Sequence, residues 1–260
     1  MANMLPPMVY DAPQVAPLTG GLYGAASVQP TGTPARLVGG VHLLPTNCGT
    51  AHGLLPVDCP PTEPIDIDGD GPDLSVVPFP ATTVYAADEC GLVGRSEEAA
   101  RDRAVHQLSI HERADVEVHT ATLLQARVTD VRTADGATVE ARLVQAVAIA
   151  EAELGAAGLP GVLHISAGQA AYAQKAGMVR WQGGQPLTPL GHRWAFGGGY
   201  GALGDTLYVT GPVTVLRSDV STGVGLGQRQ NKRLVVAQRD VSVAWECLGI
   251  GINFAETTGE

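Results

Sequence analysis

The chain has 260 residues, with 16 lysines and arginines against 26 aspartates and glutamates, and a formal net charge of −10. Only 16% of its residues are charged, against roughly 25% in an ordinary soluble domain. With two lysines in all, Lys175 and Lys232, it has no basic stripe to neutralise phosphates, which excludes a sequence-reading DNA-binding role. Its charge-free windows are broken by Gly, Pro and polar residues, so none reads as a transmembrane helix, and the N-terminus lacks the basic and apolar regions of a signal peptide.

Fourteen of the 18 prolines lie in residues 1–95, a stretch with two bases, Arg36 and Arg95, against nine acids, a net −7. Pro6, Pro7, Pro13, Pro17, Pro30 and Pro34 exclude a helix or a central strand over residues 1–40. Val9, Tyr10, Val15, Leu18, Leu22, Tyr23 and Val28 give this stretch more apolar content than a disordered tail carries. It reads as an arm that lies on its own domain or on a neighbouring subunit. Residues 41–95 place short apolar runs, His42–Leu44 and Leu74–Val77, between Gly, Pro and Asp clusters, the pattern of a long hairpin or projecting loop.

Ser96-Glu97-Glu98 marks a helix start, a hydroxyl cap followed by two acids at the positive end of the dipole. The spacing of Ala100, Ala104, Leu108 and His111 or Glu112 predicts a long helix to about Val118 with a thin apolar stripe, suited to lying across a sheet or an interface. His106, His111 and His119 are expected on its solvated side. Asp135-Gly136 suggests a hairpin turn within Thr129–Thr138. Leu143, Val147, Ala150 and Leu154 predict a second helix over Val139–Ala157, stopped by Gly158-Leu159-Pro160. Gly161–Ser166 reads as a buried strand and Gln169–Ala176 as a short helix ended by Gly177. A turn follows at Gly183-Gly184, then strands near Arg193–Phe196, Leu207–Arg217 and Arg233–Trp245. In the last of these Val235, Ala237, Val241, Val243 and Trp245 share a face interrupted by Arg239. The fold class is α+β.

The alternating aspartates Asp66, Asp68 and Asp70 followed by Gly71 match the first half of a loop that wraps calcium with carboxylate oxygens. The second half departs from it, with Val77 where a bidentate Glu belongs and Pro72 within the loop. The competing reading is a solvated acidic loop tip. Gly199–Gly204 matches GxGxxG in spelling, but the turn-then-strand pattern after Asp205 leaves no helix to face a pyrophosphate. Gly197–Gly201 instead marks a loop that needs positive φ or close backbone approach. Ser166 and Gly168 resemble a nucleophile elbow with His164 where the first Gly is required, so Ser166 is expected to cap the short helix that follows. His111-Glu112 lacks the second His of a zinc helix. No catalytic pairing emerges, and an enzyme would have to assemble its site from scattered residues such as His164, Ser166 and His192.

Cys48, Cys59, Cys90 and Cys247 contain no CxxC, which argues against structural zinc. They read as free thiols of a reducing cytosol, or as a Cys48–Cys59 pair that closes once the protein reaches an oxidising place.

The order of these elements resembles the tailed-phage major capsid proteins, with the Hong Kong 97-type fold that encapsulin shells also use. Residues 1–40 look like the N-terminal arm, 41–95 like the extended loop, and Ser96–Val118 like the spine helix within a 96–138 spine and peripheral unit. Residues 139–232 look like the axial domain, and 233–260 like the return strand of the peripheral domain. The closest local echo is Gly177, Gly183-Gly184 and Leu190-Gly191 before Arg193–Phe196. The resemblance implies a structural virion protein without catalytic residues or cofactor. Such a protein self-assembles in the host cytoplasm into pentamers and hexamers of an icosahedral head around packaged double-stranded DNA, which it holds without sequence-specific contact and without a membrane. It further implies scaffolding, portal and cement partners and no scaffolding segment fused at the front. No lysine precedes Lys175, so the lysine–asparagine crosslink of some members cannot start from the loop. The alternatives are an encapsulin-like compartment, a phage tail component and, from another class, a calcium-binding surface module using Asp66, Asp68 and Asp70.

Overall fold

A computed structural model describes residues 12–32, 37–48, 78–91, 96–227 and 232–256. In chain order it begins with a single helical turn, α1 (Leu22–Ala25), and the strands β1 (Ser27–Pro30) and β2 (Ala81–Gly91). The long helix α2 (Glu97–Arg127), the short strand β3 (Val131–Thr133) and the helix α3 (Val139–Ala157) follow. The next elements are β4 (Val162–Ser166), α4 (Ala170–Lys175), β5 (Arg180–Gln182), β6 (Gln185–Leu187) and β7 (Arg193–Gly197). The chain ends with β8 (Thr206–Thr210), β9 (Val213–Arg217), β10 (Ser221–Gly227), β11 (Lys232–Trp245) and β12 (Gly249–Asn253).

Two mixed sheets organise these elements. The first has the order β1-β9-β11-β10, with β2 antiparallel to β11 along its whole length from Ala81 opposite Ser242 to Gly91 opposite Lys232. The second has the order β3-β12-β8-β4-β7-β6-β5. One core lies between α2 and the first sheet, where Leu108, Val235, Ala237, Val241 and Val243 are fully enclosed. The other lies between α3 and the second sheet, around Leu143, Val147, Leu154, Leu163, Ile165 and Ile252.

The side chain of Ser96 accepts from the Ala99 N–H at 3.1 Å and opens α2 as its sequence predicts. The helix runs to Arg127, beyond the expected end near Val118, because its burial pattern continues. Ala100, Ala104, Leu108, Glu112, Val116, Thr120 and Leu124 are all buried at a constant spacing of four. On a helix of about 3.6 residues per turn each step of four overshoots by about 40°. The buried stripe therefore winds around the helix. Its first half faces β2 and β11, and its second half faces the 3₁₀ turn Tyr200–Leu203 that follows β7. One helix thus joins both sheets.

Helix α3 has the predicted bounds, capped by Thr138 on the Ala141 N–H and closed by Gly158 at φ 67° and ψ 23°. The glycine pair turns the β5–β6 hairpin with both residues at positive φ, 58° and 79°. Three expectations fail. No hairpin forms at Asp135-Gly136, since β3 pairs in parallel with β12 from the far end of the chain. Leu207–Arg217 is two strands in different sheets, parted at Gly211-Pro212, where proline interrupts the ladder. Ser166 makes no side-chain capping bond to the turn after it.

Candidate functional site

The most heavily bonded polar groups lie on the buried side of α2. Glu112 is 4% exposed. It accepts from the Tyr23 hydroxyl at 2.8 Å, from Arg239 Nη1 at 2.9 Å and from Arg217 Nη1 at 3.2 Å. Burial first, and the adjacent carboxylate second, push the Tyr23 hydroxyl far above its usual range. The guanidinium of Arg113 sits 5.2 Å from the centre of the Tyr23 ring. Arg239, which breaks the apolar face of β11, is therefore the counter-ion of the acid that breaks the apolar stripe of α2.

One and a half turns on, Glu117 is equally buried and accepts from the Leu22 N–H at 2.9 Å and the Gly199 N–H at 3.0 Å. Burial raises its carboxyl above the ordinary value, opposed by these backbone donors. Glu112 and Glu117 together fasten α1 onto the long helix. Glycine makes this approach possible. A Cβ on Gly199 would run into the Ala114 carbonyl and Val118 nitrogen of α2, which is the close backbone approach expected of this segment.

His164 is fully buried between the Tyr200 hydroxyl and the Thr210 hydroxyl, each at 3.0 Å. The Thr210 hydroxyl donates to the Gly211 carbonyl, so it can only accept from the imidazole. This assigns the proton to Nε2 and leaves Nδ1 to accept from Tyr200. Burial pushes the imidazole down to about 3. A histidine neutral in the fold and basic when unfolded gives stability that is complete above about 6.5 and lost as pH falls toward about 3. Glu117 acts oppositely, since its contribution is complete below 4.5 and is lost as pH rises through its raised value. Denaturant unfolding from pH 6 to pH 4 should therefore lose about 1.4 kcal/mol per pH unit more in the native chain than in His164→Asn. Equal slopes would remove this assignment.

Residues 41–48 and Phe79 are anchored at several points. Val41 and Phe79 exchange both backbone bonds, at 2.8 and 2.9 Å. The Phe79 ring packs edge-on to Trp245 at 4.8 Å, and Arg127 lies over it at 4.2 Å. Higher up, the Glu246 carboxylate accepts from the Thr46 and Asn47 N–H groups at 3.0 and 3.2 Å and from the Asn47 side chain at 2.6 Å. Beside it Cys48 is disulfide-bonded to Cys247, with Cα atoms 5.4 Å apart. This corrects both the free-thiol expectation for these two residues and the Cys48–Cys59 pairing. Contact between positions 199 apart in sequence left no local signal.

Asp66, Asp68 and Asp70 lie outside the described residues, as does Cys59. Among the described residues the one group with metal-ligand spacing is Cys48, Glu246 and Cys247, whose sulfurs form the disulfide. Of the scattered catalytic candidates, the two histidines are engaged by other bonds. Both ring nitrogens of His164 are engaged, and His192 Nδ1 accepts from the Gly161 N–H at 3.2 Å. His119 is half-buried rather than solvated and is bonded to the Pro80 backbone, with burial lowering its imidazole. On the outer side, β2 and α2 flank an open groove of about 420 Å³ lined by Tyr85, Asp88, Arg103, Gln107, His111 and Asp115. No helix among the described residues is long and apolar enough to cross a membrane.

No family model and no curated protein sequence matches the chain. Solved structures do. The chain is similar to the capsid of an empty gene transfer agent particle at 12% identity and a TM-score of 0.60, over 97% of this chain and 96% of that one. It is similar to a chain of Mycobacterium phage Bobi at 13% identity and a TM-score of 0.57, over 98% and 97%. An encapsulin complex from Synechococcus elongatus matches at 11% identity and a TM-score of 0.50, over 74% of this chain and 79% of that one. The chain has the α+β, Hong Kong 97-type capsid fold of these structures.

Proposed function

We propose that the protein is the structural subunit of a closed icosahedral shell, a virion head enclosing packaged double-stranded DNA, in which contact surfaces rather than catalytic groups do the work. The observation that carries this is full-length agreement of fold with assembled capsids, over nearly all of both chains. The physics is consistent. A tile must make large interfaces from one chain, and this chain carries exposed apolar side chains suited to them, including Leu18 and Val15 on the arm and Tyr85 on β2. Prolines lower the entropy lost when an arm settles on a neighbour. In this reading copies associate as pentamers and hexamers, assembly takes place in the host cytoplasm, and scaffolding, portal and cement proteins are the further partners.

Electron microscopy of the protein expressed alone, followed by nuclease treatment of particles from the native source, tests it. Closed isometric particles, with nuclease-resistant double-stranded DNA in the native ones, are the expected result. Native particles filled with protein cargo would favour a compartment of the encapsulin kind. A monomer that persists at high concentration would overturn the shell reading.

A further inference from the structure

The Cys48–Cys247 bond joins two supports of different rigidity. On one side Glu246-Cys247-Leu248 forms a tight turn between β11 and β12, closed by the Leu248 N–H on the Glu246 carbonyl at 2.9 Å. Its central residue, Cys247, has φ 69°, and among the described residues it is the one non-glycine at positive φ. The turn is held from outside as well, by the Glu246 N–H on the Pro212 carbonyl and the Gly211 N–H on the Leu248 carbonyl, at 3.3 and 3.1 Å. Gly211 packs so closely that a Cβ there would meet the Glu246 carbonyl. On the other side Cys48 lies in residues 42–48, which follow the Val41–Phe79 bridge and contain no helix or strand. Glu246 grips Thr46 and Asn47 by bonds that do not depend on the sulfurs, so Cys48 is presented to Cys247 whether or not the disulfide exists. Cys247 is exposed and Cys48 half-buried, so a small reagent reaches the pair from solvent. Exposed disulfides on strained backbone are the ones that exchange most readily.

We propose that Cys48 and Cys247 form a thiol–disulfide exchange site for low-molecular-weight disulfides, and that its oxidation locks residues 41–48 to the β11–β12 turn. In a reducing cytosol both residues are thiols. The Cys247 thiolate attacks one sulfur of the small disulfide, expelling one small thiolate and leaving a mixed disulfide. The Cys48 thiolate then attacks the Cys247 sulfur and expels the second. Two protein thiols and one small disulfide become one protein disulfide and two small thiols, with both protons carried to the leaving thiols. Residues 41–48 are thus held by hydrogen bonds alone while subunits are placed and are covalently fixed afterwards. That timing rests on the shell reading, whereas the exchange chemistry does not.

The test uses the full chain, reduced, freed of reductant and then exposed to oxidised glutathione. Free thiols in denaturant are expected to fall from four to two, with a Cys48–Cys247 linked peptide in the non-reduced digest. Amide hydrogen exchange over residues 41–48 is expected to slow at least about fivefold on oxidation, and to stay at the reduced rate in Cys247→Ser and in Cys48→Ser. Four thiols persisting, a linkage of Cys48 to Cys59, or oxidation without any change in exchange would each overturn the proposal. These readouts are made on the chain itself, so a failure to form shells leaves them intact and counts only against the function.

Discussion

Replacing Glu112 by alanine lowers the melting temperature of the purified protein by roughly 6–20 °C, the shift expected for about 3–5 kcal/mol in a chain of this size. Glu112 is nearly enclosed and is the shared acceptor of Tyr23, Arg217 and Arg239. Removing it leaves Arg239, whose side chain is only 15% exposed, as a charge without its counter-ion inside the contact between α2 and β11. The loss belongs to the stranded cation more than to the ion pair itself, because a buried pair replaced on both sides by apolar groups is often neutral. The double variant Glu112→Leu with Arg239→Met should therefore recover much of the loss. If the single alanine variant melts within about 2 °C of the parent, the carboxylate does not anchor the fold.

Gly199→Ala is expected to destabilise by about 3–5 kcal/mol, from overpacking plus the loss of a charge-assisted hydrogen bond. A methyl group at this position meets helix backbone, the Ala114 carbonyl and the Val118 nitrogen, which cannot swing aside as a flexible side chain can. The turn must back away from α2, and the Gly199 N–H leaves Glu117. Gly201 supplies the control. It belongs to the same glycine-rich run, yet a Cβ there meets nothing within 4 Å. Gly201→Ala should be neutral or slightly stabilising, because it removes freedom from the unfolded chain. Denaturant melts that rank the two variants together would show that the glycines act through chain flexibility and not through contact.

The contrast between those glycines shows where sequence reading works. Much that is decided within a few residues is legible, the Ser166 cap excepted: the Ser96 cap, both ends of α3 and the glycine pair of the β5–β6 hairpin. Close approach at Gly197–Gly201 is legible as a requirement, but its partner, the long helix some 80 residues earlier, is not. The parallel pairing of β3 with β12, the division of Leu207–Arg217 between two sheets and the Cys48–Cys247 bond are all settled by distant chain, and no local pattern encodes them. The Glu112 site lies between these cases. An acid in the apolar stripe of a helix and an arginine in the apolar face of a strand are each visible as exceptions. Two exceptions of opposite charge, on faces that must pack, identify each other once the faces are known to meet.

The winding stripe of α2 has a consequence for how such a chain can change. Side chains along the helix can be exchanged singly, provided size and polarity are respected. The number of residues between Ala100 and Leu124 cannot. Inserting or deleting one residue there turns everything beyond it by about 100° and shifts it by about 1.5 Å. Placed between the two acids, the change would leave Glu112 on Arg239 but turn Glu117 away from Leu22 and Gly199, and the two sheets would lose their common register. The helix behaves as a gauge block between the sheets, tolerant of its material and intolerant of its length.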